Sequence, residues 1–184
     1  VHILVKNRKI DNIFILFCFL LNLNIGGQYL ISVSKSVEMA VWANKIMYIG
    51  GCYLPYVIFL FVTRLSNIKI NKILNAILIL YATTILFFVV SVEYSNLYYV
   101  SVDLIFGKDF NYIVKEYGPL HALYPSMMIL YVILLTILVL RTFRKKTQLP
   151  THVVITITFI CSSLIITYLL ERLLKSKISY LPIG

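Results

Sequence analysis

Long apolar runs, broken by short polar stretches, fill most of the chain. Five of them carry almost no charge over roughly the 20 residues that a helix needs to cross a bilayer. They run over Ile13–Val33, Ile46–Val62, Ile73–Val92, Leu123–Leu140 and Val153–Leu170. The pattern predicts an all-α transmembrane helix bundle of about five full spans. The connection from Glu93 to Gly118 breaks this pattern. "LYYVSVDLIF", then "GKD", then "FNYIVKEY" places two β-branched and aromatic runs around a short Gly-containing turn. That is the signature of a β-hairpin. The expected organisation is one membrane domain over residues 1–184, with the hairpin over 93–118 inside it.

Composition agrees with a membrane solvent. Mean hydropathy is +0.90 and only 13% of residues are charged, about half the usual share in soluble domains. The net charge of +10 does not mark a nucleic-acid partner, because the basic residues lie in small clusters between apolar runs and form no single soluble face. Their arrangement predicts orientation instead. Lys6, Arg8, Lys9, Arg64, Lys69, Lys72, Arg141, Arg144, Lys145 and Lys146 fall on one side, ten of the seventeen Lys and Arg, with only Asp11 of the seven acids. Basic loops favour the cytoplasm. The start of the chain is therefore expected inside, and the hairpin and the chain's last residues outside. Lipid is the first partner implied.

Few residues suggest chemistry. Cys18, Cys52 and Cys161 are scattered through separate spans, which is neither a disulfide framework nor a metal site. There is no GxSxG, HExxH or phosphate-binding glycine loop, and His2, His121 and His152 belong to separate segments. No enzyme activity, cofactor or metal is expected from this chain. The polar residues within spans are more informative. Asn22, Asn24 and Gln28, around Gly26 and Gly27, read either as helix-packing amides or as the wall of a polar cavity. Gly50, Gly51 and Pro55 in "GGCYLP" predict close packing and a kink. Gly118 and Pro119 turn the chain out of the hairpin and start the next helix. Lys45, His121, Glu171 and Arg172 lie near the expected outer ends of helices. Ionisable groups at membrane depth pair with one another or line a wet cavity, although snorkelling to the interface explains Lys45 and Arg172 as well.

Three stretches, "VWANKIMYIGGCYLPYVIFLFVTRL", "VKEYGPLHALYPSMMILYV" and "YLLERLLKSKISYLPIG", together resemble the N-terminal seven-helix transmembrane sensor region of bacterial sensor histidine kinases and membrane diguanylate cyclases. In that resemblance the five spans are helices two to six, Val1–Val5 is the tail of helix one, and both ends read as trimmed. It implies a receptor-like input module in the bacterial inner membrane, signalling to a cytoplasmic output domain beyond this chain; a homodimer is compatible with it. Lys45, His121, Glu171 and Arg172 are expected to converge on one outward-open pocket for a small or anionic ligand, with Gly50, Gly51, Pro55, Gly118 and Pro119 as structural or switch positions. The alternative, a small transporter or transporter fragment, requires discontinuous helices and charges near the midplane, whereas these charges crowd the ends.

Overall fold

The computed structural model describes residues 8–144, together with isolated helical positions between 155 and 166. The order is α1 (Arg8–Ser32), α2 (Val37–Leu65), α3 (Lys72–Val90), a 3₁₀ turn (Ser91–Glu93), β1 (Tyr99–Phe106), β2 (Asn111–Tyr117), a second 3₁₀ turn (Pro119–Ala122) and α4 (Leu123–Arg144). Four segments within this range are long and apolar enough to cross a membrane: Asn12–Ser32, Val37–Leu65, Lys72–Glu93 and Pro119–Thr142. The first four predicted spans are thus present. The predicted fifth, Val153–Leu170, lies outside the described residues apart from those isolated positions.

The second span starts nine residues before the predicted Ile46, at Val37. Its start is set by capping, which hydropathy does not register: Ser36 is extended and its side chain accepts the Met39 N–H at 3.2 Å, with Glu38 in the first turn. Both features suit the positive end of a helix. The far end is a Schellman closure. Asn67 takes φ 49°, its N–H donates to Arg64 O at 3.1 Å, and Ile68 N–H reaches Thr63 O at 3.0 Å. Asparagine is one of the few residues that adopts this left-handed position readily.

Helix α2 is the centre of the bundle and packs against α1, α3 and α4. The other helices are two-faced. On α3, Leu78, Ala82, Ile85 and Val89 are buried, while Ile73, Ile77, Leu80 and Phe87 are exposed. Each set recurs at three or four residues or a multiple of a turn, so one face meets protein and the other an apolar solvent. On α4, Met127, Tyr131, Leu135 and Leu138 repeat the inward stripe. Hydrogen bonds join the helices beside it. Tyr56 donates to Asn75 Oδ1 at 2.8 Å, Tyr53 and Thr83 hydroxyls lie 2.8 Å apart, and Tyr81 reaches Ser126 Oγ at 2.7 Å. In lipid such polar groups need partners inside the protein.

Glycine makes the contact between α1 and α2. A Cβ on Gly27 would strike the Met47 backbone, and one on Gly50 would strike Leu20 O and the Asn24 N of α1. Asn24 Nδ2 then donates to Met47 O at 3.1 Å. Asn24 realises the packing reading through this bond and also lines a cleft between the helices.

Candidate functional site

The predicted hairpin forms. β1 and β2 pair antiparallel from Phe106↔Asn111 to Tyr99↔Tyr117, with an irregularity between Tyr99 and Ser101. Its base is welded shut: Gly118 N–H donates to Tyr98 O at 3.0 Å and Leu120 N–H to Leu97 O at 2.9 Å. A Cβ at Gly118 would run into the Asn96 and Leu97 carbonyl oxygens, so glycine is what lets the strands close. Pro119 opens a 3₁₀ turn before α4 begins at Leu123. The helix start predicted at this Gly-Pro step is therefore one tight turn, then α-helix.

The inward register of the hairpin delivers an aromatic cluster to the top of the bundle. Tyr98 and Tyr99 are fully buried. Tyr99 donates to the Tyr48 hydroxyl at 2.7 Å. Tyr48 meets Tyr124 edge-on at 5.2 Å, and His121 stacks on Tyr117 at 4.0 Å with Tyr98 at 4.9 Å. These are ordinary favourable ring separations. Burial, and after it the neighbouring Tyr48, pushes the Tyr98 and Tyr99 hydroxyls far above the usual phenol range, so both remain neutral.

Two lysines enter this end differently. Lys115, on β2, donates to Asn44 Oδ1 at 2.6 Å, and its ammonium lies 5.2 Å from the Tyr99 ring and 5.5 Å from the Tyr48 ring. It ties the hairpin to α2 through a hydrogen bond and cation–π contacts. Lys45 lies nearly buried and pairs with Glu93 at 2.8 Å, its ammonium also 4.4 Å from the Trp42 ring. Among the predicted site residues, Lys45 and His121 thus belong to the hairpin end. Glu171 and Arg172 lie outside the described residues.

Sequence reasoning missed Lys115, Asn44, Glu93 and the Tyr98–Tyr99 pair. A signal for Lys115 existed: it alternates with Ile113 and Tyr117 along a strand, which placed it on one face. Nothing in the sequence said that this face would be the inward one.

Below the cluster, a cleft of about 220 Å³ opens between α1, α2 and α4, lined by Asn24, Gln28, Gly51, Pro55 and Tyr124 among others. α2 runs unbroken through Pro55. Proline has no N–H, so the Gly51 carbonyl, four residues back, loses its helical donor. The Tyr124 hydroxyl donates to it at 3.4 Å instead. Gly51 and Pro55 therefore act together to admit a side chain from α4.

Four apolar helices, hydrogen bonds linking them and a β-hairpin seated on one end define a polytopic helical membrane protein. The chain belongs to the family described as the N-terminal 7TM region of histidine kinase, whose model matches residues 1–183. That membership makes it a membrane sensory region of the histidine kinase type. No match was found among curated proteins or among solved structures.

Proposed function

We propose that this chain is the input module of a membrane sensor, receiving a signal at its hairpin end and passing it through α2 and α4 to a cytoplasmic output domain. The family description favours a histidine kinase over a diguanylate cyclase as that output. One observation carries the reading. The hairpin is fastened through one buried cluster to α2, by Tyr99–Tyr48 and Lys115–Asn44, and to the 3₁₀ turn that leads into α4, by the rings around His121, while Tyr48 of α2 also meets Tyr124 of α4. Any ligand that prefers one seating of the hairpin also biases how α2 and α4 pack, and differential affinity is the only lever a ligand has. Lys45, His121, Glu171 and Arg172 remain the proposed ligand-facing group. An anion would have to compete with Glu93 for Lys45.

The test uses the intact parent protein in membranes. Lys115→Met removes the ammonium between Asn44 and the two tyrosine rings, and is expected to shift basal autophosphorylation by about ten- to a hundredfold, the equivalent of one hydrogen bond to a charged group. Expression in the membrane should be unaffected. Unchanged basal and stimulated output would rule out the hairpin as the relay.

Orientation is tested separately, in a background lacking Cys18, Cys52 and Cys161. A cysteine replacing the exposed Lys108 of the hairpin tip should react with an impermeant thiol reagent on intact cells, and one replacing the exposed Lys69 should react only after lysis. The reverse result would place the hairpin in the cytoplasm and remove the external signal from the proposal.

A further inference from the structure

The cleft between α1, α2 and α4 has an uneven chemical lining. Gln28 and the Tyr48 and Tyr124 rings stand at its hairpin-side end, while Leu54, Pro55 and Ile58 continue it down α2. From Met47 to Ile58 the helix advances about 16 Å at 1.5 Å per residue. Gln28 lies one turn inside the end of the apolar segment Asn12–Ser32.

The Gln28 side chain is the informative group. It is exposed to the cleft and makes no hydrogen bond to any described residue, whereas neighbouring Asn24 is engaged with Met47 O. A carboxamide at this depth is costly unless something satisfies it. An occupant that does so must carry a hydrogen-bonding head and, behind it, a narrow apolar tail able to lie along Leu54 and Ile58. At about 220 Å³ the cleft has room for part of one acyl chain, not for two side by side.

We propose that the cleft is a binding site for a single-chain amphiphile, a long-chain carboxylic acid or its monoacyl ester. The head accepts from Gln28 Nε2 and the chain lies against Leu54, Pro55 and Ile58. The ligand enters from the hairpin-side leaflet. Because it would wedge beside the Tyr124–Gly51 contact, it also supplies a chemical class for the signal, and only that consequence rests on the input-module reading.

The test is photolabelling of the full chain in phospholipid nanodiscs with a diazirine-bearing palmitic acid, followed by peptide mapping. Labelling is expected to concentrate on peptides holding Asn24–Gln28 and Leu54–Ile58, and to be competed by excess palmitic acid or monopalmitoylglycerol. The stronger competitor identifies the head group. Leu54→Trp fills the cleft and should abolish this labelling with helical content unchanged. Gln28→Leu, at an exposed position that cannot prevent folding, should lower it about three- to tenfold. Label spread equally over the exposed α3 face at Leu80 and Phe87, or labelling indifferent to Gln28→Leu, overturns the proposal. The readout needs no output domain, so specific labelling with an unresponsive parent kinase would sink the input-module reading and leave the site standing.

Discussion

Gly50→Val is expected to detach α1 from the bundle, while Gly26→Val, on α1 itself, should change stability by no more than about 0.5 kcal/mol. The two glycines look alike in sequence and differ in surroundings. A Cβ at Gly26 meets nothing within 4 Å, but one at Gly50 meets Leu20 O and Asn24 N, which are backbone atoms. A side chain can rotate away from such a clash and a backbone cannot, so the helices must separate. Overpacking of this kind costs about 1–3 kcal/mol, occasionally more. Separation also takes Asn24 away from Met47 O and opens one wall of the cleft. α1 has little else to hold it, because among the described helices it packs substantially only on α2. Thermal unfolding in detergent, with cross-linking of cysteines placed at Leu23 and Met47, reads both effects. A Gly50→Val protein that cross-links and melts like the parent would show that the close approach contributes nothing to stability.

How far the sequence could be read depended on the kind of force at each position. Lipid imposes one strong rule, that apolar runs cross it as helices, so the first four spans and the hairpin between Glu93 and Gly118 were legible from periodicity alone. Helix starts were less so. The beginning of α2 is fixed by a single hydroxyl, Ser36, and Glu38, Asn44 and Lys45 interrupt the apolar run over two turns of real helix. "GGCYLP" was recognisable as a special stretch, but its working was not. Gly50 faces α1, Gly51 faces α4, and Pro55 frees a carbonyl that Tyr124 takes up. Such roles depend on which helix lies on which side, and hydropathy does not encode that. The same limit applies to Lys45. Its position near a helix end was legible, but Glu93, 48 residues away in the chain, could be chosen as its partner only once α2 and α3 were packed together.

That pair yields the second large effect. Glu93→Leu is expected to destabilise the protein by about 1–3 kcal/mol, and Lys45→Met by far less. The asymmetry follows from burial: the Lys45 side chain is 7% exposed and that of Glu93 42%. Removing the carboxylate strands a nearly dry ammonium with, among the described residues, the Trp42 ring beside it. Removing the ammonium leaves a carboxylate that water already reaches, and methionine keeps the apolar stem of the lysine. The cost stays below that of breaking a fully buried pair because solvent at Glu93 screens part of the attraction. The double variant Lys45→Met/Glu93→Leu should therefore recover most of the stability lost in Glu93→Leu, giving a clear coupling in a double-mutant cycle of melting temperatures. The cycle also bears on ligand recognition. If Glu93 is the native competitor for an anion at Lys45, inorganic phosphate should raise the melting temperature of Glu93→Leu more than that of the parent, and leave the double variant unmoved. Additive single effects would reduce the ion pair to a surface contact. A phosphate response equal in all three proteins would remove Lys45 from the proposed ligand-facing group.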